Sequence, residues 1–445
     1  MNIVQLTPGA GAMYCGNCLR DNALTAGLRR LGHQVTMVPL YLPLTLDEPD
    51  QSAGTAIFFG GVSVYLEEKL PWFRGAPAWV HALLARPALL RWAGGRAAQT
   101  LPEQVGDLTL SMLRGEAGNQ ERELRHLLDW LKTQRRADVI CLSNALLVGM
   151  ARRLKAELRA PVVCNLQGED AFLDALPARV RDLCWQTVSE RSREIDCFIA
   201  PSRYFADRMT SRLSLPPEKV HVVSNGITLE GYRSPTATGN GEPSPGKPVL
   251  GFFARMCREK GLDTLVDAFI RIHQRVQVPG LRLKVGGSCG PADEPVVDAQ
   301  RDKLRKAGLL EAAEFCPNLT RAQKIAFLNS LTVFSVPALY GEAFGLYVVE
   351  ALAAGVPVVQ PRTASFPELV QSTGGGLLCD PGSAEALAVR IEELLLDSEL
   401  RFRLARAGQQ AAWRDFSAQA MAERMEIVFR GLVQPLNATR EEGAV

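Results

Sequence analysis

The sequence lacks an excess of charge of either sign. It contains 50 lysines and arginines against 48 aspartates and glutamates, which gives a formal net charge of +2 at pH 7. Proteins that bind nucleic acid usually present a strongly basic surface. We therefore expect no nucleic acid among the partners of this protein.

Long apolar runs are also missing. No stretch has the roughly 20 consecutive apolar residues of a membrane-spanning helix, and the start, MNIVQLT, lacks the basic and apolar regions of a secretory signal. We therefore expect a cytoplasmic protein whose ten cysteines are free thiols. Cys15 and Cys18 have the C-x-x-C spacing of redox and zinc sites, but no second pair accompanies them, so we expect them to pack in a loop.

A glycine-rich loop follows the first apolar segment, residues 3–6, and precedes a helical pattern. Its glycines, Gly9, Gly11 and Gly16, do not form the G-x-G-x-x-G pattern of a dinucleotide site. Glycine nevertheless lets the main chain come close to a ligand at the end of a strand. We expect this loop to approach phosphates or an acceptor molecule.

Strand and helix patterns alternate through both halves of the chain. This alternation predicts an α/β fold with two Rossmann-like, doubly wound parallel sheets that face each other across an interdomain cleft. The stretch 234–248 is rich in Pro, Gly, Ser and Thr and predicts a linker. It separates an N-terminal domain, 1–233, from a second domain, 249–416, while 417–445 is expected to form a helix that packs back on the first domain, followed by a tail.

An irregular, aromatic insertion at about 44–136 interrupts the first domain. Within it, the arginine-punctuated segment 69–96 allows two interpretations. It can lie on a membrane surface, which would place the protein at the inner face as a peripheral contact. The favoured alternative is a helical insertion that packs on the first domain.

Two glutamates flank a turn in the second half, in the sequence GEAFGLYVVEALAAGVPVV. Glu342 precedes the turn, and Glu350 lies in the helix that follows it. Phe344, Gly345 and Leu346 would offer free backbone N–H groups at the helix start, which suit an anion or sugar hydroxyls.

Two cations follow the first strand of the second half. Arg255 and Lys260 are expected at the carboxyl edge of the same sheet as the glutamates, where they can hold a diphosphate without a metal. Gly286 and Gly287 end the next strand and form either a tight turn or a phosphate contact.

Polar residues also gather at the end of one strand of the first half. Gln167 precedes Glu169 and Asp170 at a strand's carboxyl end, where open α/β sheets bind ligands. The two carboxylates can contact an acceptor, or they can cap the next helix.

In these segments the chain resembles the glycosyltransferase family 4 enzymes. The resemblance rests on an E-x7-E pair around a Phe-Gly turn, an Arg and Lys pair, and an interdomain turn, namely Glu342, Glu350, Phe344, Gly345, Arg255, Lys260, Asn225 and Gly226. It covers the second half and, through the glycine loop and Gln167, part of the first half. It implies the GT-B fold and a retaining transferase that takes a sugar from a UDP- or GDP-sugar to an unknown acceptor, namely a glycan, a lipid or a small molecule.

The resemblance also implies roles for the residues singled out above. Glu342, Arg255, Lys260 and Gln167 would be catalytic, and the donor would contact Glu350, the Phe344–Leu346 turn and the two glycines after the second strand. No metal and no other cofactor would be required, and the chain has no D-x-D carboxylate pair. Gln167 stands where the family usually has histidine, which motivates the alternative of a silent nucleotide-sugar-binding protein. A nucleotide-sugar epimerase or phosphorylase of the same fold is a further alternative.

Overall fold

The computed structural model describes residues 1–9, 15–59, 102–235 and 247–442. The chain divides into two compact units. The first comprises Met1–Ser224 together with Ala418–Val445, and the second comprises Asn225–Ser417.

The first unit is built on a six-stranded sheet in the order β2-β1-β3-β4-β5-β6, and every pair of neighbouring strands is parallel. The strands are β1 Asn2–Thr7, β2 Gln34–Pro39, β3 Val139–Leu142, β4 Val162–Asn165, β5 Cys197–Ala200 and β6 Val220–Val222. The helices are α1 Gly16–Arg30, α2 Pro102–Arg114, α3 Glu121–Thr133, α4 Ala151–Leu158, α5 Glu169–Asp174, α6 Ala178–Arg191 and α7 Arg203–Leu213.

The second unit has its own six-stranded parallel sheet, in the order β12-β11-β10-β7-β8-β9. The strands are β7 Val249–Phe253, β8 Arg282–Gly287, β9 Ala313–Pro317, β10 Val333–Phe334, β11 Val358–Pro361 and β12 Gly376–Cys379. The helices are α8 Leu262–Arg275, α9 Glu294–Lys306, α10 Arg321–Asn329, α11 Leu346–Ala353, α12 Phe366–Thr373, α13 Ala384–Leu396 and α14 Ser398–Asp415.

These two sheets confirm the predicted pair of doubly wound, Rossmann-like folds. In a parallel sheet covered by helices, strands are buried on both faces and are apolar throughout. Val139–Leu142 and Val162–Asn165 are buried at every position, as this rule requires. The strand order reverses beside the first strand of each unit, between β1 and β3 and between β7 and β10.

The last helix, α15 Ala418–Glu442, belongs to the first unit. It packs on α1, where Gly27 permits close approach: a Cβ at Gly27 would lie 2.7 Å from the Ala418 carbonyl oxygen and 2.8 Å from Ala422 Cβ. Met425 and Phe429 of α15 are fully buried in the core of this unit.

The division between the units falls earlier than the predicted linker. The sequence predicts that residues 225–233 belong to the N-terminal domain, but their backbone is hydrogen-bonded to the second unit. Ile227 donates its N–H to the Phe416 carbonyl at 2.9 Å, and Arg321 donates to the carbonyls of Thr228 and Glu230 at 2.7 and 2.9 Å. Composition marks the stretch richest in turn residues, whereas these long-range hydrogen bonds decide where the unit begins.

The insertion is described only in part. Helices α2 and α3 lie within 102–133, whereas the segment 69–96, on which the membrane interpretation depends, falls outside the described residues. Among the helices that the structure describes, none combines the length and the apolar character that crossing a membrane would need.

Candidate functional site

Lys260 and Glu342 meet at the carboxyl edge of the second sheet. Lys260 follows β7 and Glu342 follows β10, the two strands between which the strand order reverses. In open α/β sheets this point forms the crevice in which ligands bind. Lys260 Nζ lies 2.6 Å from Glu342 Oε2, so the structure brings together one predicted cation and one predicted carboxylate.

Two tyrosines complete the surroundings of Glu342. Tyr340 and Tyr347 donate their hydroxyls to Glu342 Oε2 at 2.9 and 2.8 Å. The Lys260 ammonium also donates to the Tyr340 hydroxyl and lies 4.8 and 5.0 Å from the centres of the two rings. Burial by itself would raise the pKa of Glu342, but the Lys260 charge and these hydrogen bonds hold that pKa below its ordinary value.

The turn after Glu342 is fixed by its backbone. Gly345 has φ +90° and precedes α11, a conformation that glycine adopts without strain. Ser365 donates its hydroxyl to the carbonyls of Glu342 and Phe344 at 2.8 and 3.1 Å. The Phe344 ring is buried against Phe416, with ring centres 6.0 Å apart, so Phe344 can serve a ligand only through its backbone.

Glu350 has a partner that the sequence did not indicate. Lys324 of α10 places Nζ 2.8 Å from Glu350 Oε1, and the side chains are only 8% and 17% exposed. A single lysine in an amphipathic helix looks like a solvated residue in the sequence, and no motif marks it. Lys324 fixes the orientation of the glutamate that is predicted to contact the donor.

Arg255 pairs with an aspartate of the second unit. Its Nε lies 3.0 and 3.1 Å from the two carboxylate oxygens of Asp293, which also accepts the Gly290 N–H at 3.1 Å. Arg255 remains 57% exposed, whereas the Asp293 side chain is only 8% exposed. The hydrogen bond to Asp293 raises the pKa of Arg255. Asp293 is a second residue that the sequence did not indicate.

A cavity of about 330 Å³ lies in the second unit and is lined in part by the residue that follows Arg255 in the chain. Its lining includes Met256, Arg301, Phe315 and Asn318. The Arg301 guanidinium lies over the Phe315 ring, 4.9 Å from its centre.

Gly286 and Gly287 are explained by packing at the end of β8. Gly287 has φ +127°, and a Cβ there would lie 1.8 Å from the Ala254 carbonyl oxygen. A Cβ at Gly286 would meet the Phe253 ring at 2.7 Å. Both glycines lie inside β8 and are required by close packing against Phe253 and Ala254, so the tight-turn interpretation is wrong, and their contact with a donor stays a prediction.

The glycine loop of the first unit begins with a similar close approach. Gly9 has φ +75°, and a Cβ there would lie 1.9 Å from the Leu42 carbonyl oxygen. Gly16 is the exposed first residue of α1, and Gly11 falls outside the described residues. Phosphate or acceptor binding by the three glycines stays a prediction.

Glu169 and Asp170 are buried and engaged by the protein itself. Glu169 accepts the backbone N–H of Gln167 at 2.6 Å and that of Ala145 at 3.1 Å. Burial raises the pKa of Glu169 to about 7. Asp170 accepts from Arg208 Nε at 2.5 Å. The residue that caps α5 is Gly168, so the prediction that Glu169 or Asp170 occupies the cap position is wrong.

A buried polar network supports the carboxyl edge of the first sheet. Arg20 is 1% exposed and donates to Asp21 at 2.8 Å and to Asn165 at 2.5 Å. Thr7, at the end of β1, donates its hydroxyl to Asp21 at 2.9 Å. Buried charges of this kind require partners. The contacts of Asp21 with Thr7 and of Arg20 with Asn165 join α1 to the ends of β1 and β4, and the sequence does not show them.

No group of three or more His, Cys, Asp or Glu side chains suited to a metal ion occurs in the part of the chain that the structure describes.

Two family models match the chain. The model described as "Glycosyl transferases group 1" matches residues 238–411, and the "Glycosyl transferase 4-like domain" matches residues 22–226. A glycogen synthase of Mycobacterium tuberculosis is 30% identical over 247 residues, which cover 55% of this chain and 57% of that protein. A D-inositol 3-phosphate glycosyltransferase of Corynebacterium glutamicum is 29% identical over 232 residues, 51% of this chain and 54% of that protein. The chain thus spans little more than half the length of the curated relatives it matches.

Solved structures share the fold over nearly the whole length. Sucrose-phosphate synthase from Thermosynechococcus elongatus covers 98% of this chain and 99% of its own, with a TM-score of 0.67 and 17% identity. Anabaena HepE in complex with UDP-glucose covers 97% of this chain and 100% of its own, with a TM-score of 0.63 and 16% identity. The two family models match both halves of the sequence, and the solved structures share the fold with its two sheets. The chain belongs to the group 1, family 4-like glycosyltransferases of the GT-B fold.

Proposed function

We propose that this protein transfers a sugar, with retention of anomeric configuration, from a UDP- or GDP-sugar to a glycan, lipid or small-molecule acceptor. The observation that carries the proposal is the Lys260–Glu342 ion pair at the point where the strand order of the second sheet reverses. A cation and a carboxylate side by side suit a donor that has both a charged diphosphate and a hydroxyl-rich sugar.

Lys260 would stabilise the leaving diphosphate. Breaking the bond between sugar and phosphate builds negative charge on the phosphate oxygens, and a cation already in place lowers the free energy of that charge. An ammonium has three N–H donors, of which Glu342 and Tyr340 take two. The third can reach a phosphate oxygen while Glu342 keeps Lys260 in position.

Arg255 would supply the second cation, so that the diphosphate is held without a metal. Asp293 orients the exposed guanidinium of Arg255 through Nε. The guanidinium can then pair with phosphate oxygens in a bidentate manner. The cavity lined by Met256, the residue that follows Arg255, would take the nucleotide base.

The carboxylates would bind hydroxyl groups. Glu342, kept ionised by Lys260, would accept from the donor sugar, and Glu350, oriented by Lys324, would accept from the ribose. The leaving phosphate oxygen would take the proton of the acceptor on the same face of the sugar, so retention needs no protein base.

UDP-glucose is the first donor to test, because the structure of Anabaena HepE, which shares this fold, contains UDP-glucose. In the experiment, the purified protein is incubated with radiolabelled UDP- and GDP-sugars, with and without candidate acceptors. We expect the wild type to turn over the donor and Glu342→Ala to lose this turnover. Glu311→Ala, which changes an exposed glutamate of the same unit, should turn over the donor as fast as the wild type. No Glu342-dependent turnover with any donor would refute the proposal.

The second candidate function is a nucleotide-sugar-binding protein without turnover, which Gln167 motivates. Glutamine can donate a hydrogen bond but cannot exchange a proton as histidine does. Saturable binding of a nucleotide sugar with no turnover would favour this candidate. Product formed without an acceptor would indicate an epimerase, and dependence on free phosphate would indicate a phosphorylase.

A further inference from the structure

Tyr347 contacts both members of the Lys260–Glu342 pair. Its hydroxyl donates to Glu342 Oε2 at 2.8 Å, and its ring centre lies 5.0 Å from Lys260 Nζ. An ammonium at this distance from an aromatic ring is attracted by the π electrons. One side chain therefore restrains the carboxylate through its hydroxyl and the ammonium through its ring.

The core of the second unit holds the Tyr347 ring in place. Tyr347 is the second residue of α11, and its ring centre lies 6.4 Å from that of Phe334 and 6.5 Å from that of Phe366. Both phenylalanines are fully buried, Phe334 in β10 and Phe366 at the start of α12. Aromatic rings at such separations attract each other. The core therefore sets the position of the Tyr347 hydroxyl before any ligand binds.

The hydrogen bonds to Glu342 are divided unequally between its two carboxylate oxygens. Lys260, Tyr340 and Tyr347 all donate to Oε2, at 2.6, 2.9 and 2.8 Å. Among the residues that the structure describes, none donates to Oε1, and this oxygen is not buried. An ionised carboxylate accepts hydrogen bonds and cannot donate them. Oε1 is therefore available to a ligand that carries a hydroxyl.

We propose that Tyr347 is a positioning residue for the donor, which holds Glu342 and Lys260 so that Glu342 Oε1 accepts from a hydroxyl of the donor sugar. This inference rests on the proposed function, which assigns the sugar to Glu342 and the diphosphate to Lys260. A site built to hydrogen-bond a hydroxyl rejects an analogue that lacks it, because the polar group of the site is left unpaired. The substrate is thus a nucleotide sugar with a free hydroxyl at the position that faces Oε1, and its deoxy analogue binds poorly.

Calorimetry on the full-length protein tests this role. The ligands are UDP, UDP-glucose and analogues of UDP-glucose that each lack one hydroxyl of the glucose, with the corresponding GDP series in parallel. We expect the wild type to bind one of the intact nucleotide sugars roughly tenfold more tightly than one of its deoxy analogues. Tyr347→Phe, which keeps the ring and removes the hydroxyl, should reduce this ratio roughly threefold or more and leave the affinity for the free nucleotide unchanged.

Two further variants separate the contacts of Tyr347. Tyr347→Leu also removes the ring beside Lys260, so it should weaken the binding of the free nucleotide as well. Tyr232→Phe removes a hydroxyl of the same unit that is not among the donors to Glu342, and it should behave as the wild type. An unchanged ratio in Tyr347→Phe, an equal loss of affinity for nucleotide and nucleotide sugar, or a wild type that binds neither series would overturn the proposal.

A double-mutant cycle without ligand tests the hydrogen bond itself. Tyr347→Phe should lower the stability of the wild type in urea, but it should cause little further loss in the Glu342→Ala background, where the hydroxyl has no carboxylate to reach. Additive losses would contradict the contact. Sugar binding that depends on Tyr347 in a protein without turnover would refute the proposed transfer and support this inference. Turnover and sugar affinity that are both unchanged in Tyr347→Phe would do the reverse.

Discussion

Lys260 Nζ lies 2.6 Å from Glu342 Oε2, although the two residues are 82 positions apart in the chain. Both side chains are less than one-fifth exposed. A buried pair of this kind is costly to break, because the remaining charge loses its partner without regaining water. The same contact therefore contributes to the stability of the second unit and to the proposed chemistry, and the two contributions can be separated by mutation.

Replacing both members of this pair should restore part of the stability that is lost when Lys260 alone is replaced, without restoring activity. Lys260→Met leaves Glu342 buried and unpaired, so we expect a loss of about 3 kcal/mol in the free energy of unfolding. The rate of sugar transfer should fall by roughly 100- to 1,000-fold, which is the usual effect of removing one preorganised hydrogen-bond donor from the negative charge that develops in the transition state. The double variant Lys260→Met, Glu342→Gln should recover part of the stability but none of the activity. Urea unfolding and initial rates measure the two effects; a double variant less stable than Lys260→Met would contradict this account.

Lys324→Met should weaken nucleotide binding through Glu350. Without Lys324 the glutamate loses its nearly buried partner at 2.8 Å, and its orientation toward a ribose is no longer fixed. We expect KM for the donor to rise about tenfold with a smaller change in kcat, the pattern of lost ground-state binding. Titration calorimetry with UDP gives the affinity directly.

The matched control for this change is Lys303→Met. Lys303 pairs with Asp267 at 2.7 Å, but both side chains are more than one-third exposed. Such surface pairs contribute at most about 1 kcal/mol. Equal effects of the two substitutions on the affinity for UDP would show that Lys324 has no specific role.

Glu169 should make the stability of the first unit fall as the pH rises. Burial raises its pKa in the folded chain from 4.5 to about 7. A carboxyl group whose pKa is higher in the folded chain than in the unfolded chain stabilises the fold at a pH below its unfolded-state pKa. This stabilisation is lost as the pH rises through its folded-state pKa. Between pH 4.5 and pH 7 the wild type should therefore lose about 3 kcal/mol relative to Glu169→Gln.

Urea unfolding at pH 4.5, 6 and 8, followed by fluorescence, measures this difference. Other carboxylates contribute equally to both proteins, so only the difference between the two curves is used. Glu218→Gln, at an exposed position of the same unit, should follow the wild type. Parallel curves for the wild type and Glu169→Gln would rule out the raised pKa.

Gly287→Ala should destabilise the second unit more than Gly308→Ala. Both glycines have positive φ, at +127° and +70°, and a positive φ costs an alanine roughly 1–2 kcal/mol. At Gly287 the new Cβ would also lie 1.8 Å from the Ala254 carbonyl oxygen, whereas nothing lies within 4 Å at Gly308. We expect a loss of about 3 kcal/mol or more for Gly287→Ala. Thermal unfolding with equal midpoints for the two variants would exclude the close approach.

The pattern of residues along the chain was sufficient to predict the fold class and the elements at the carboxyl edge of the second sheet. Helix and strand leave different periods in the pattern of apolar residues, and strands buried in a parallel sheet are apolar throughout, so both sheets could be predicted. The placement of Arg255, Lys260 and Glu342 could be predicted as well, because each follows a strand of the same sheet, and Glu350 lies within the helix that comes after Glu342. Parallel strands bring such positions to one edge.

Which charged side chains pair with each other could be seen only in the folded chain. Lys260 pairs with Glu342, Lys324 with Glu350 and Asp293 with Arg255, across 82, 26 and 38 positions of the chain. The tertiary structure also showed that residues 225–233 belong to the second unit and that α1 is the helix of the first unit on which the predicted C-terminal helix packs. Periodicity reports how each segment is exposed to water, whereas ion pairs and unit boundaries depend on distances between segments, which packing alone sets.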